Sequence, residues 1–212
     1  MVYLNHKIVK EALTPLKKKF YIPYDGTSQT RYGNTGRFGF YVERTLGIRP
    51  NSSRSADTEY AEVKSVNIKN TFTINPVSIG TIPYAEYNYL KNNFPNVYFT
   101  SSDPYKKMLK TLYVFYRKEF QDDPEYKVER WVHVDMNNLD DSTKQILEND
   151  FWFCVKAMKK YTYDTLSNRT DLNPSTHYLR LGYKGDGYYN YPCWKFSPEF
   201  LKKIYEIGES VD

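Results

Sequence analysis

A chain of 212 residues, 17 % of them aromatic and 22 of them tyrosine, is long enough to bury a substantial core as one compact fold. Its formal net charge of +5 is modest, so a nucleic-acid partner requires the lysines and arginines to gather on one face. Two cysteines and three widely spaced histidines exclude a disulfide framework and a structural zinc site. No stretch is apolar enough for a membrane helix and the first residues do not read as a secretory signal, so the expectation is a reduced, intracellular (cytoplasmic) protein with no membrane partner.

In chain order, Asn5 to Phe20 reads as a helix and Asp25 to Thr35 as a loop containing glycine and serine. Gly36 and Gly39 bracket a turn or helix start. Phe40, Tyr41, Val42 and Leu46 then form an apolar stripe, which places Glu43 as a carboxylate on a helix ending near Gly47. After a serine-rich loop, Glu59 to Ile68 reads as a strand. Within it Glu62 and Lys64, two residues apart, share one face while Val63 points the other way into a core. Further strands are expected at Thr71 to Ile74, Thr111 to Arg117 and Lys127 to Asp135, the last with apolar alternation at Val128, Trp131 and Val134. Leu139 to Tyr161 reads as a long helix with Ile146, Leu147, Phe151, Val155 and Met158 on its buried side, and Pro198 to Ile207 is helix-like. Strands and helices mixed along a chain without repeats imply an α/β fold with its active site at one edge of the sheet.

Asp57, Glu62 and Lys64 are the residues with chemistry. Two carboxylates can hold a hard cation such as Mg2+ through oxygen ligands, and an adjacent lysine can orient, or help to deprotonate, a water that attacks phosphorus. Taken alone, Glu-Val-Lys on a strand is a weak signal, because an alternating charged strand is more often a solvated sheet face.

The whole pattern carries more: Gly36-Arg-Phe-Gly39, three apolar residues, Glu43, Leu46-Gly47, the serine-rich loop, Asp57 and Glu62-Val63-Lys64. It resembles the MutH-type endonucleases, which join a mismatch-repair nicking enzyme to restriction enzymes cutting at GATC, all on the PD-(D/E)xK nuclease fold. That resemblance implies a restriction-endonuclease-like α/β fold, with a mixed central sheet flanked by helices and two lobes around a DNA groove. It would form a single MutH-like endonuclease domain over residues 1–212, its catalytic half about 1–120 and its recognition half about 121–212. The implied catalytic residues are Glu43, Asp57, Glu62, Lys64 and, from the segment Phe99 to Lys107, Lys107. Mg2+ would be the cofactor, held by Asp57, Glu62 and Glu43. The gap between Asp57 and Glu62 is shorter than the family's usual one, which leaves Glu59 as the alternative ligand.

Toward the end of the chain, His177-Tyr-Leu-Arg-Leu-Gly-Tyr-Lys184 and Pro192-Cys-Trp-Lys-Phe196 are similar to the family's recognition strand and closing aromatic block. Arg180, Lys184, Tyr191, Trp194 and Lys195 are the implied DNA-binding residues. With Lys184 aligned on the family's lysine, the family's arginine falls at Gly182, and a shift of two residues would put Arg180 there. The implied activity is that of a type II restriction enzyme at a short site such as GATC. A mismatch-repair nickase and a catalytically silent DNA-binding or effector domain are the alternatives. The implied partners are double-stranded DNA, a second copy of the chain (or one copy acting twice) and a cognate DNA methyltransferase.

Overall fold

The computed structural model describes residues 5–22, 29–48, 62–69, 74, 76–108, 110–118, 125–135, 139–166, 177–185 and 190–211. Asp57, Glu59 and residues 71–73 of an expected strand lie outside them. Residues 1–75, 110–135 and 204–212 form one compact unit, and residues 76–109 and 136–203 a second.

The first unit is built on a mixed sheet. Its strands are β1 (Phe20–Tyr21), β2 (Glu62–Asn67), β4 (Lys110–Lys118), β5 (Glu125–Asp135) and β8 (Glu209–Ser210), in the order β1-β5-β4-β2 with β8 also on β5. β2 runs parallel to β4, and the other pairings are antiparallel. β4 is buried on both faces: Leu112, Val114 and Tyr116 point one way, Thr111, Tyr113 and Phe115 the other, and all six are buried. An aromatic and β-branched run without polar alternation is what such a doubly covered strand requires.

Helix α2 (Gln29–Thr45) covers the Leu112 face. Phe38, Val42 and Leu46, spaced by one helical turn each, enter one core with Val63, Leu112 and Val114, and Phe38 stacks on Tyr116 with ring centroids 3.6 Å apart. Gly39 allows the close approach, since a Cβ there would lie 3.1 Å from Ser65 Oγ. α2 therefore begins within the expected loop Asp25 to Thr35, and Gly36 and Gly39 lie inside it rather than bracketing its start. Tertiary packing overrides the low helix propensity of this glycine-containing segment.

α1 (His6–Leu13) is also shorter than expected. Asn5 caps it, accepting from the Ile8 amide at 3.0 Å, and Val9 and Leu13 are buried. Pro15 lies in the short 3-10 turn Thr14–Lys17 that follows, because proline cannot donate the hydrogen bond that would continue the α-helix.

On the other face of the first sheet, Tyr205 packs edge-on against Phe115 with centroids 5.1 Å apart. Arg130 places its guanidinium 4.9 Å over the Tyr205 ring and donates to the carbonyls of Tyr205 and Gly208 at 3.3 and 3.2 Å. A cation there satisfies the carbonyls that a helix C-terminus leaves without partners.

The second unit carries the antiparallel sheet β3 (Val77–Thr81), β7 (Asn190–Phe196) and β6 (Leu179–Gly185), in the order β3-β7-β6. Helices α3 (Tyr84–Asn93), α4 (Asp103–Met108), α5 (Asp141–Met158) and α6 (Tyr163–Leu166) belong to it, as do residues 198–203 of α7 (Pro198–Ile207). α5 starts where Asp140 accepts from the Thr143 amide at 2.8 Å, and it buries Leu147, Phe151, Val155 and Met158 as its periodicity predicts, whereas Ile146, expected on the same side, is only half-buried. Asp150, also buried, ties the helix to the sheet by accepting the amides of Tyr178 and Leu179 at 2.5 and 3.0 Å.

Burial pushes the Asp150 carboxyl above its usual value, with the amides of Leu179 and Tyr178 pulling the other way. A folded-state value above the unfolded one means that the native state holds the proton more tightly. The resulting stability is full below the unfolded value near 3.8 and is lost as pH rises through the folded value. Asp150→Asn removes that titration. Melting curves from about pH 3 to about pH 7 should therefore show the variant's Tm rising relative to wild type with pH and then levelling off; a difference that stays flat or falls would show that burial does not govern this carboxyl.

Candidate active site

β2 is an edge strand among the described residues, paired only with β4. Its alternation sends Val63 into the core under α2 and turns Glu62 and Lys64 to the opposite face. There the Lys64 ammonium donates to Glu62 Oε1. The side chains are largely withdrawn from solvent, Glu62 being 7 % and Lys64 19 % exposed. Glu62 Oε2 is buried and has no hydrogen-bond partner among the described residues. A half-satisfied buried carboxylate is costly, and this unpartnered oxygen fits a cation ligand.

The parallel register adds two residues that sequence reasoning did not identify. Glu62 lies opposite Thr111 and Lys64 opposite Tyr113, so these four side chains share one face of two neighbouring strands. Burial pushes the Tyr113 phenol far above its usual value; a hydrogen bond with Thr111 pulls it down and the charge of Glu62 pushes it up. Tyr113 is therefore a neutral hydrogen-bonding group. Only the pairing of β2 with β4 reveals this neighbourhood; nothing in the local sequence marks Thr111 or Tyr113.

Glu43 is half-buried next to Val42 near the end of α2. The helix stops as the sequence implies: Gly47 has φ 74°, a left-handed conformation that favours glycine, and the Ile48 amide donates to the Glu43 carbonyl at 2.8 Å. α2 packs on the Val63 face of β2, opposite to the face that carries Glu62. No group of three or more metal-ligating side chains occurs among the described residues, and the expected second carboxylate, Asp57 or Glu59, lies outside them. Of the candidate ligands, Glu62 is the one whose surroundings are defined on both carboxylate oxygens.

Lys107 sits on α4 in the second unit, immediately before β4 in sequence. Its ammonium lies against β3, 3.3 Å from where a Cβ on Gly80 would be.

In the second unit's sheet, Arg180, Gly182 and Lys184 of β6 lie beside Lys195, Cys193 and Tyr191 of β7 in register, and strand alternation gives these six one common face. Trp194 faces the other way. It is only 2 % exposed, packs 5.6 Å from Phe151 and donates to Glu86 Oε1 at 3.4 Å. This corrects its expected role in DNA contact, since an indole enclosed in the core cannot stack on a base. Cys154 and Cys193 are not joined in a disulfide and both are buried, and burial pushes both thiols up. No helix among the described residues is long and apolar enough to cross a membrane.

The Glu62–Lys64 pair should behave energetically as a buried one. Lys64→Met strands a buried carboxylate and is expected to cost about 3 kcal/mol, whereas Glu62→Gln/Lys64→Met recovers much of that loss. Urea unfolding of the three proteins measures it, and a Lys64→Met protein as stable as wild type would mean that solvent screens the pair.

No family model matches the chain, and no curated protein matches it. Among solved structures, it is similar to restriction endonuclease MvaI in complex with its cognate DNA substrate, at 8 % identity and a TM-score of 0.47, over 99 % of this chain and 100 % of that one.

Proposed function

We propose that this protein is a Mg2+-dependent, sequence-specific DNA endonuclease, a type II restriction enzyme of the MutH type that hydrolyses phosphodiester bonds at a short site such as GATC. The observation that carries the reading is the state of Glu62: one carboxylate oxygen takes the Lys64 ammonium while the other is buried without a partner among the described residues. A solvated sheet face would expose both. The pattern from Gly36 to Lys64 supplies the family likeness.

Glu62, with Asp57 or Glu59 from the preceding loop, would hold the Mg2+, and Glu43 would complete the set from the end of α2. When bound, the metal supplies charge stabilisation at the scissile phosphate and a lowered pKa for a bound water. Lys64, fixed by Glu62, would hold the attacking water in line with phosphorus and neutralise charge as the phosphorus–oxygen bond of the leaving group breaks. Tyr113 and Thr111 keep solvent from the inner side of this pair. Lys107 is assigned the place of the additional active-site lysine that the resemblance implies, contacting the phosphate or the nucleophile, and Arg180 and Lys184 the reading of guanines through their two major-groove acceptors.

The decisive experiment incubates purified protein with mixed-sequence duplex DNA in Mg2+ or EDTA and sequences the fragment ends. It reports activity, metal need, site and strand number together, and so separates restriction from nicking and both from a silent DNA-binding domain. Glu62→Ala and Lys64→Ala should keep DNA binding while cleavage falls by orders of magnitude, because these groups act on the transition state; near wild-type cleavage by both would refute the assignment.

Asp57→Asn should abolish Mg2+-supported cleavage whereas Glu59→Gln should leave it. The reverse result moves the second ligand to Glu59.

A further inference from the structure

The face that β6 and β7 turn away from Trp194 carries Arg180, Lys184 and Lys195, and none of the three makes an ion pair with a described residue. Arg180 Nε is buried without a hydrogen-bond partner among the described residues. All three charges act on the Cys193 thiol between them, lowering what burial raises, so they converge on one small area. Unneutralised like charges held together favour an anionic partner.

Among the described residues, Lys195 is on β7, the central strand of this sheet, and β6 lies at its edge. Its side chain crosses β6 at Gly182: a Cβ there would lie 2.7 Å from Lys195 Cδ, 2.8 Å from Cε and 3.3 Å from Cγ. Beyond the crossing, the ammonium reaches the exposed Tyr183, 5.4 Å from its ring centroid. Glycine weakens a strand interior and there often marks the close approach of another group. Here the group is the stem of a lysine, and a Cβ at position 182 would push that stem off its present path.

We propose that Gly182 is a positioning residue. It opens the channel through which Lys195 crosses β6, and so sets the Lys195 ammonium at the sheet edge to take a phosphate of the backbone of duplex DNA alongside Arg180 and Lys184. This deepens, and rests on, the endonuclease reading above. A lysine suits the task because its ammonium is a compact charge with rotatable donors, fit for a phosphate oxygen rather than for a fixed bidentate pattern.

The test measures duplex DNA binding by fluorescence anisotropy over a series of salt concentrations, in EDTA so that the DNA stays intact. Lys195→Ala should reduce the slope of log Kobs against log salt by about 0.9, the contribution of one phosphate contact. Lys195→Gln, which keeps most of the stem but not the charge, should do the same. Gly182→Ala should give a similar loss with Lys195 still present, and Gly182→Ala/Lys195→Ala no more than either single change. Melting curves give a second cycle that needs no DNA: any Tm lost by Gly182→Ala should be regained when Lys195 is also shortened, because the clash is then gone.

A wild-type slope for Gly182→Ala or for Lys195→Ala, or losses that add in the double variant, would overturn the proposal. So would a Lys195→Ala loss confined to one base position across a randomised library, which would make Lys195 a base reader. If wild-type protein binds no duplex DNA, the endonuclease reading and the phosphate contact fall together, while the melting cycle still decides whether Gly182 makes room for Lys195.

Discussion

The parallel pairing of β2 with β4 is the constraint on which the candidate chemistry depends. It puts Glu62 beside Thr111 and Lys64 beside Tyr113, and it buries Val63 with Leu112 and Val114 on the far side. The same alternation that anchors β2 to the core through Val63 drives two charged side chains into a largely enclosed position. A one-residue slip would exchange the faces, taking Val63 out of the core under α2 and pushing the charges into it. Core packing therefore fixes the register, and the register fixes the pair.

That arrangement does little for stability. Withdrawing a carboxylate and an ammonium from water costs several kcal/mol per ion by typical estimates, and their mutual attraction offsets this only when the remaining hydrogen-bonding capacity is filled. Glu62 Oε2 is left unfilled. A site of this kind persists where the surrounding structure over-determines it, as here, where β4 is buried on both faces and Phe38, Val42 and Leu46 hold β2 from behind. The residual cost is carried by that surrounding packing.

The second unit divides its tasks by strand face in the same way. The face bearing Leu179, Leu181, Trp194 and Phe196 is buried, while the other face carries three cations that no described carboxylate neutralises. Asp150, the buried acid in this region, is occupied by the backbone amides that start β6, so it fixes where the strand begins without neutralising the cationic face. Glu86 likewise lies with Trp194 on the core side.

Much of this was legible in the sequence, where a short-range period governs the outcome. The two-residue period of β2 predicts that Glu62 and Lys64 share a face opposite Val63, and the 3.6-residue period predicts the buried side of α5 at Leu147, Phe151, Val155 and Met158. The glycine-terminated end of α2 at Gly47 follows from local backbone sterics. Other features were set by contacts between distant segments. Residues 29–36 form helix despite their glycines, since propensity is a weak prior against packing. The short run Tyr-Pro-Cys-Trp-Lys-Phe mixes apolar residues on both faces, so it did not show that Trp194 points into the core. Thr111 and Tyr113 join Glu62 and Lys64 only through the register of β2 on β4, and Gly182 acquires meaning only when Lys195 is laid across it. Periodicity is a property of neighbouring residues and can be read along the chain, whereas strand partnership and close approach join residues tens of positions apart, and tertiary structure alone decides them.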